Sequence, residues 1–308
     1  MTIQQLEYVL AVDRFRHFAR AAEHCGVTQP TLSAMIQKLE DELEVKLFDR
    51  TSQPVIPTAI GEKVIRQAHE VILQSSRVKE IIGEEKHSFT GVFRLGILPT
   101  IAPYLLPRFF PQFMERYPDL DIQIVEMKTN DIRSALQASE IDAALIASRL
   151  NEPTMHEEVL FYEEFFAYVS SQEKVFGQGM IRTSDITGER LWLLDEGHCF
   201  RDQLVRFCQL EAVKLSQMSY RLGSVETFMR MVERGRGITF IPELATDLLA
   251  DSQRLLVRPF AIPRPTRSIV LITAKDFIRV GLLGILKEAI RDSIPEPMYA
   301  LKPTQYLV

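Results

Sequence analysis

The chain has 308 residues, of which 46% are hydrophobic and 25% charged, and its formal net charge is −5. This composition is ordinary for a globular protein of about two domains, and its three cysteines are too few for a disulfide scaffold. No apolar run is long enough to span a membrane and no signal peptide opens the chain, so we expect a cytoplasmic protein. The first 60 residues hold six basic and eight acidic residues, so any binding to nucleic acid has to be argued from pattern and not from charge.

Residues 1–58 predict a small domain of short helices that ends in a wing. Gly26 suits a sharp turn, Thr28 is suited to cap the helix that follows, and Pro30 falls in the first turn of that helix, where proline is tolerated. A helix, a glycine-containing turn and a second amphipathic helix form a helix-turn-helix. Residues 51–58 contain two prolines and favour a short hairpin or wing. The apolar stripe of the second helix consists of Leu32, Ile36, Leu39 and Leu43.

Residues 59–90 predict a linker helix followed by a hinge. Apolar and small residues recur there at alternating spacings of four and three, which is close to the 3.5-residue period of a seam between two helices. We expect this seam to pair with another helix. Gly83 and the polar residues after it predict the hinge. The seam consists of Val64, Ala68, Val71, Ser75, Val78 and Ile82.

From residue 91 onward, strands alternate with helices. This pattern predicts an α/β domain with a mostly parallel sheet covered on both faces, built as one body or as two lobes. The expected strands are 92–98, 122–127, 143–147, 165–170, 191–194, 238–241 and 269–273, and the expected helices are 102–116, 132–138, a helix over the cysteines near residue 200, 225–234 and 280–291.

Two of the three cysteines, Cys199 and Cys208, lie nine residues apart in a stretch rich in helix formers. In a helix, nine residues span about 13 Å and place the two side chains on opposite faces. A disulfide needs Cα atoms within about 7 Å, so the two cysteines cannot bond while the helix persists. Cys199 falls at the expected helix start near Arg201, an environment that lowers a thiol pKa. Cys208 follows Phe207 and has the surroundings of a packed residue.

The residues alone leave several roles open for this cysteine pair. A reactive and a resolving cysteine would fit the asymmetry, because a sulfenic acid on one thiol condenses with the other. Two buried cysteines acting as small hydrophobic residues also fit, and the spacing and neighbours alone favour this interpretation. A metal site that includes His198 lacks the usual ligand spacing, and a protease-like Cys–His pair lacks an orienting third group. Cys25, beside the helix-turn-helix turn, is interpreted as a packing residue.

The N-terminal pattern resembles the winged helix-turn-helix of LysR-type transcriptional regulators. The resemblance implies a dimer held by the linker helix, with the second helix in the DNA major groove. This chain departs from its relatives at Gln53-Pro54, where the wing of the relatives usually carries basic residues. Fewer cations at the phosphates predict a shallower salt dependence of DNA binding. The residues that carry it are Phe18, Ala21, Ala22, the run 27–33, Ile36, Leu39, Glu40, Leu47, Phe48, Arg50 and Thr58.

Six polar residues are the candidates for contact with DNA. The N-terminal residues of a recognition helix reach base edges, where Gln bonds adenine and Ser or Thr serve bases or phosphates, while Lys and Arg pair with phosphates. Taken one at a time, each of these positions is also compatible with a merely solvated polar side chain. The six candidates are Gln29, Thr31, Ser33, Gln37, Lys38 and Arg50.

The rest of the chain resembles the branch of this family that senses hydrogen peroxide. The similarity runs through residues 6–8, 96–100, 103–107, 197–203, 207–208 and 237–239. It implies that Cys199 reacts with peroxide and that Cys208 is its disulfide partner. It also places six residues around the peroxide: hydroxyls to donate and accept, cations to stabilise negative charge, and a carboxylate to accept or to anchor a cation. These residues are Thr100, Thr129, His198, Arg201, Asp202 and Arg267, whereas Ser219 stands where some relatives have a histidine.

Together these observations predict a winged helix-turn-helix domain (1–58), a linker and dimerisation helix with a hinge (59–90), and a redox-sensing domain (91–308). The resemblance implies that this last domain is α/β and similar to periplasmic binding proteins, with two Rossmann-like lobes at about 91–162 with 268–302 and about 163–267.

The resemblance also implies an activator of oxidative-stress genes that is not an enzyme and has no cofactor, metal or membrane. Its expected partners are promoter DNA, peroxide, a second copy of itself in a dimer or tetramer, RNA polymerase, and a reductant such as glutaredoxin or thioredoxin. The competing readings are a LysR-type regulator with a small coinducer between the lobes, a thiol peroxidase and a periplasmic-type solute-binding protein.

Overall fold

The protein, described here from a computed structural model, is defined over residues 1–85, 89–186, 191–194, 199–208 and 224–308. It divides into two compact units, Met1–Lys86 and His87–Val308, and each unit has its own hydrophobic core. Among the described helices, none has both the length and the apolar character needed to cross a membrane.

The N-terminal unit is a winged helix-turn-helix. The second helix of the motif is capped by Thr28, whose side chain accepts from the Thr31 amide, and it carries Pro30 in its first turn, as expected. The wing is a two-residue antiparallel pairing. The elements are α1 (Ile3–Phe15), α2 (Phe18–His24), α3 (Gln29–Leu43), β1 (Phe48–Asp49), β2 (Ile56–Pro57) and α4 (Ala59–Glu85).

The apolar stripe of α3 is buried except at its last position. Leu32, Ile36 and Leu39 are fully buried, whereas Leu43 is 37% exposed. Glu40 is buried instead, because its carboxylate accepts hydrogen bonds from the backbone amides of Leu47 (2.7 Å) and Phe48 (3.3 Å). The polar side chain is tolerated in the core because it supplies the acceptors that the start of the wing needs.

The first part of α4 packs inside its own unit. Ile65 and Ala68 are buried in the core that α1 also lines, and Val64 and Val71 are partly buried against it. The predicted seam thus does pair with another helix, and over this part of α4 that helix is α1 of the same chain. The seam positions Val78 and Ile82 lie where side chains are outside the described part.

The C-terminal unit is an α/β domain whose main sheet runs in the order β4-β3-β5-β9-β6-β7. The helices expected at 102–116 and 225–234 are confirmed, whereas the strand expected at 191–194 makes only an isolated bridge from Leu191 to Ile238. The strands are β3 (Gly91–Ile97), β4 (Leu120–Glu126), β5 (Ala143–Ile146), β6 (Met155–Val169), β7 (Ile238–Pro242), β8 (Val257–Pro259), β9 (Arg264–Ala274) and β10 (Gln305–Leu307), and the helices are α5 (Ala102–Arg116), α6 (Thr129–Gln137), α7 (Cys199–Phe207), α8 (Val225–Arg234), α9 (Asp251–Arg254) and α10 (Val280–Asp292).

The expectation of a mostly parallel sheet was wrong for this unit. β3 pairs in parallel with β4 and β5, but β9 is antiparallel to β5 and to β6. The pairing of β6 with β9 continues through residue 164, after which β6 pairs with β7 and β8. The long strand β6 therefore joins β7 and β8 to the rest of the sheet. Glu163 of β6 lies opposite Arg267 of β9 near this transition.

Candidate functional site

The cysteine stretch forms α7, as predicted, and its two cysteines are free thiols. Cys199 is the first residue of the helix and is partly buried. Cys208 follows the helix directly, donates its amide to the carbonyl of Leu204 (2.9 Å) and belongs to the hydrophobic core. The structure is therefore the dithiol form, in which the helix separates the two sulfurs.

α7 is held against strands β6 and β9 by an aromatic contact and a buried cation. The Phe200 ring lies 5.0 Å from that of Phe165 on β6, at an interplanar angle of 71°. The guanidinium of Arg267 lies over both rings, 5.3 Å from the centroid of Phe200 and 5.6 Å from that of Phe165. Arg267 is 1% exposed, so this cation contacts the start of α7 from within the protein.

Three strand ends meet beside the cysteine helix. Thr100 follows β3, Thr129 begins α6 after β4, and Ala147 follows β5. Because β3, β4 and β5 are parallel, these residues lie at the same edge of the sheet, which is where open α/β sheets bind ligands. Gln203 of α7 donates to the carbonyl of Ala147 (2.9 Å) and fixes the helix at that edge.

Arg267 is tied to this edge and to β6 by a set of short contacts. Its side chain donates to the hydroxyl (3.2 Å) and the carbonyl (2.9 Å) of Thr100. It also forms an ion pair with Glu163 (2.7 Å), whose other carboxylate oxygen accepts from the amide of Leu244 (3.0 Å). Both charged side chains are almost completely buried and are paired, as buried charges must be.

Burial is the largest influence on the Cys199 thiol and raises its pKa. The hydroxyl of Thr129 and the positive charge of Arg267 lower the pKa, and Asp202 raises it. The expected lowering of this pKa was therefore wrong for the dithiol form, because desolvation outweighs the groups that stabilise the thiolate. Burial also raises the pKa of Cys208, to about 12.

Two buried oxygens, one at the Cys199 thiol and one a helical turn further along α7, lack ordinary hydrogen-bond partners among the described residues. The Thr129 hydroxyl interacts with the Cys199 thiol but makes no hydrogen bond to a nitrogen or oxygen atom of these residues. The side-chain oxygen of Gln203 has no donor among them, although its amide group is bonded. Because buried polar atoms are normally paired, two such atoms near one thiol mark a place where a small polar molecule would find partners.

The remaining predicted residues of this site lie in the first turn of α7 or outside the described part of the chain. Arg201 and Asp202 are 4.0 Å apart, and the Asp202 side chain is half exposed. His198 and Ser219 fall outside the described residues. Among those that are described, no group of three or more His, Cys, Asp or Glu residues is arranged to hold a metal ion.

The candidate DNA contacts are arranged along α3 and the start of the wing. Gln29, Thr31 and Lys38 are exposed, and Ser33 and Gln37 are partly exposed. The Thr31 hydroxyl bonds that of Thr28 (2.8 Å), and the Gln37 amide donates to Asp41 (2.6 Å). The row of polar side chains therefore lies on the opposite side of α3 from its buried stripe.

Arg50 is positioned by neighbours from two helices. Its guanidinium donates to the Ser33 hydroxyl (3.0 Å) and to the Glu40 carboxylate (3.1 Å), and it lies 5.0 Å from the centroid of the Phe18 ring. One third of its side chain is still exposed. Cys25 packs against the core of this unit, and burial raises its pKa.

The chain matches two family descriptions and a set of named relatives. Residues 3–62 match "Bacterial regulatory helix-turn-helix protein, lysR family" and residues 86–292 match "LysR substrate binding domain". The chain belongs to the LysR family of transcriptional regulators. It is 35% identical over 301 residues to the "Hydrogen peroxide-inducible genes activator" of Pectobacterium carotovorum, covering 98% of this chain and 99% of that protein.

OxyR proteins are among the solved structures that resemble this LysR-family chain. OxyR from Porphyromonas gingivalis is 47% identical, with a TM-score of 0.67 over 71% of this chain and 99% of that one. A full-length OxyR variant from Pseudomonas aeruginosa is 33% identical, with a TM-score of 0.74 over 94% and 98% of the two chains. The family membership confirms the winged helix-turn-helix, the two-lobed α/β fold and the role as a DNA-binding regulator and not an enzyme.

Sequence reasoning missed three residues of this LysR-family regulator. Glu163 and Gln203 hold groups around Cys199, and Glu40 holds Arg50. Glu40 and Gln203 were noted only as parts of the family motifs. A charged or polar residue inside an otherwise apolar stretch is the one signal that would have pointed to them, because such a residue is buried only with partners.

Proposed function

We propose that this regulator responds to hydrogen peroxide through Cys199, which then forms a disulfide with Cys208, and that the change controls oxidative-stress genes. The observation that supports this most directly is the pairing of a partly buried thiol with unpartnered polar oxygens and a buried arginine at one sheet edge, while the second thiol is buried beyond α7. Relatives named as peroxide-inducible activators support the choice of peroxide as the signal.

The chemistry follows from the groups at the site. The Cys199 thiolate attacks one oxygen of peroxide, the O–O bond breaks, and the departing hydroxide takes a proton and leaves as water, so sulfur is oxidised by two electrons to a sulfenic acid. The Thr100 hydroxyl accepts from Arg267, so its own hydrogen is available to peroxide. Arg267 stabilises the thiolate and the departing oxygen, Thr129 and Gln203 offer further acceptors, and we assign supporting roles to His198, Arg201 and Asp202.

The second step requires a conformational change. Cys208 condenses with the sulfenic acid, releasing water, only after α7 unwinds, because the intact helix separates the two sulfurs by about 13 Å along its axis. Disulfide formation then traps a different arrangement of the C-terminal unit. We propose that this arrangement alters contacts between copies of the chain, in a dimer or tetramer, and repositions the helix-turn-helix on promoter DNA. RNA polymerase and a thiol reductant such as glutaredoxin or thioredoxin complete the proposed set of partners.

We assign the lobe boundary to residues 162–163 of β6, shortly before this strand exchanges its partner β9 for β7 and β8, and to the paired residues 267–268 of β9. We also propose the domain limits 1–58, 59–90 and 91–308.

For the DNA-binding unit, we propose that Gln29, Thr31, Ser33 and Gln37 approach bases and that Lys38 and Arg50 contact phosphates. Their position on the polar side of α3 supports this assignment.

The deciding experiment is peptide mapping of the full chain after brief peroxide treatment. We expect a Cys199–Cys208 linkage in the wild type, a sulfenic acid on Cys199 in Cys208→Ser, and neither product in Cys199→Ser. Cys25→Ser, which removes the remaining thiol, is expected to behave as the wild type. If the wild type forms no Cys199–Cys208 linkage, the disulfide switch is wrong.

The second candidate is a LysR-family regulator that binds a small coinducer between its lobes. The inter-lobe region beside the cysteine helix is occupied by the protein's own side chains, since Arg267 reaches Thr100 and the Tyr104 hydroxyl donates to Glu226 (3.1 Å). This occupancy favours the peroxide reading. A Cys199→Ser protein that still changes its DNA footprint when a metabolite is added would favour the coinducer reading instead.

A further inference from the structure

The strongest contact of Arg267 is with a residue that has no role in the chemistry proposed above. Glu163 lies directly across from Arg267 in the β6–β9 pairing and is 1% exposed. Its carboxylate accepts a hydrogen bond from the Nε atom of the guanidinium (2.8 Å) and forms an ion pair with the Nη2 atom (2.7 Å). Its second oxygen accepts from the Leu244 amide (3.0 Å). The carboxylate is therefore fixed from both sides and brings a full negative charge to the cation that contacts the cysteine helix.

We propose that Glu163 is a positioning residue for Cys199: it fixes Arg267 beside α7 and cancels part of its charge, so that Cys199 rests as a thiol until peroxide arrives. The inference depends on the proposed function of Cys199 and names the group that sets its resting reactivity. A buried cation acts on a neighbouring thiol through a low-dielectric interior, where a carboxylate bound to that cation offsets its field.

Several titratable groups besides Glu163 surround Cys199 and the Arg267–Glu163 pair. On α7 itself, Asp202 raises the pKa of Cys199, whereas Arg267 on β9 lowers it. The other titratable groups packed around Arg267 and Glu163 are Tyr104 of α5, Glu226 of α8 and Glu243 of the turn after β7, and burial raises the pKa values of Tyr104 and Glu243. Glu163 is the one carboxylate bonded directly to Arg267 in the described part of the chain.

Glu164 provides a matched control one residue further along the same strand. It is also buried and paired, but with Arg264 (3.4 Å) and Gln305 (2.8 Å), and not with Arg267. Adjacent residues of a strand point to opposite faces, so the two carboxylates meet different surroundings. Glu163→Gln and Glu164→Gln thus remove the same charge from neighbouring buried positions, and only the first removes it from the partner of Arg267.

The test is the pH dependence of iodoacetamide alkylation of Cys199 in the full chain, followed on the Cys199 peptide so that Cys25 and Cys208 do not contribute. Glu163→Gln is expected to move the profile to lower pH and to raise the alkylation rate at neutral pH by about threefold. A thiol pKa lower by about one unit gives about ten times more thiolate at this pH, but each thiolate then reacts about three times more slowly because a more acidic thiol is a weaker nucleophile. Glu164→Gln is expected to leave the profile unchanged. An unchanged or more alkaline profile in Glu163→Gln, or an equal shift in Glu164→Gln, overturns the proposal.

Two further measurements separate this proposal from a merely structural role. In the double variant Glu163→Gln with Arg267→Met, which removes both charges of the buried pair, the gain in rate should disappear; a persisting gain overturns the route through Arg267. The wild-type protein gives a second check that does not depend on whether a variant folds. The midpoint of its pH profile for Cys199 alkylation should lie above about 8.5, the usual pKa of a cysteine thiol, and a midpoint well below that value overturns the proposal. The proposed function and this inference can fail separately. If the variants give the expected alkylation profiles but peroxide induces no Cys199–Cys208 linkage, the proposed disulfide switch is refuted and the role of Glu163 is supported.

Discussion

At the scale of single residues, the sequence identifies the reactive groups better than it identifies their state. Cys199 is recognised by its family motif, but the direction of its pKa shift was predicted with the wrong sign. A helix start and a nearby arginine are visible in the sequence, whereas desolvation depends on which strands cover the thiol. The partners of Arg267 are likewise 104 and 167 residues away in the chain, so no local pattern points to Glu163 or Thr100 as its neighbours.

Glu243 gives a prediction about pH and stability. Burial and the neighbouring Glu164 and Glu163 raise its pKa, so the folded protein binds this proton more tightly than the unfolded chain does. The stabilising contribution is present below the unfolded pKa and is lost as the pH rises through the folded pKa. Glu243→Gln should therefore raise the melting temperature at pH 8 and have little effect at pH 4.

The control for this prediction is Glu288→Gln, which removes an exposed carboxylate of α10. It should shift the melting temperature little at either pH. A Glu243→Gln protein that is less stable than the wild type at pH 8 would contradict the prediction, and thermal unfolding followed by circular dichroism at the two pH values is sufficient to decide it.

At the scale of elements, helices with a clear apolar period were predicted closely and the long strands were not. The bounds of α5 and α8 agree with the sequence prediction because each has a continuous amphipathic pattern. Strand β6 was predicted only from residue 165, because its first half carries the polar pairs Glu157-Glu158 and Glu163-Glu164, which hide the alternation. Acidic residues that are paired in the folded protein thus interrupt the hydrophobic alternation from which β6, the strand that carries Glu163, would be predicted.

Gly61 in the first turn of α4 gives a prediction about the wing. A Cβ added there would lie 2.0 Å from the carbonyl oxygen of Leu47, so the helix can approach the start of the wing only with glycine at this position. Gly61→Ala should lower the stability of the N-terminal unit by about 2 kcal/mol or more, as overpacking does. Gly284→Ala in α10, where a Cβ meets nothing within 4 Å, should instead be neutral or stabilise by about 0.5–1 kcal/mol.

These two glycines form a matched pair because both lie within helices and receive the same methyl group. Thermal unfolding and binding to promoter DNA are the measurements. Equal effects of the two substitutions would mean that the close approach of α4 to Leu47 does not limit packing.

The last strand gives a prediction about the release of α7. The Phe207 ring contacts those of Tyr306 on β10 (6.0 Å) and Phe260 (5.7 Å), and the Gln203 amide also donates to the carbonyl of Val308 (3.2 Å). Removing the Tyr306 ring should weaken the packing of α7 by about 1 kcal/mol, as for an aromatic pair. If α7 must unwind before the disulfide forms, Tyr306→Ala should speed disulfide formation by about fivefold.

The rate is measured by quenching with a thiol reagent at intervals after excess peroxide is added. Leu307→Ala is the control, because Leu307 lies on the same strand, is largely exposed and makes no ring contact with α7. An unchanged rate in Tyr306→Ala would show that the contact with β10 is not broken before the slow step.

At the scale of the whole molecule, the DNA-binding unit with its long helix α4 precedes the α/β unit in the chain, and the family motif predicted a DNA-binding domain at this end. What the motif does not supply is how charge is distributed on the DNA-binding surface. The first 60 residues have two more acidic than basic residues, and Glu40 engages both Lys46 (3.5 Å) and Arg50 (3.1 Å). Few unpaired cations are thus left on α3 and the wing, so recognition has to depend on polar contacts more than in a basic domain.

Lys38 is the exposed cation of α3, and its substitution tests this balance. Each phosphate contact contributes about one unit to the slope of log affinity against log salt, so Lys38→Ala should reduce the slope by about one and weaken binding to all sequences alike.

Gln29→Ala should leave the slope unchanged and reduce discrimination between promoter sequences, because a glutamine reads a base and carries no charge. Lys174→Ala, which removes an exposed lysine from the other unit, serves as the charge control and should change neither quantity. Fluorescence anisotropy with a promoter duplex and a scrambled duplex at several salt concentrations measures both quantities. If Gln29→Ala changes the slope while Lys38→Ala does not, the division of α3 into base-reading and phosphate-contacting residues is wrong.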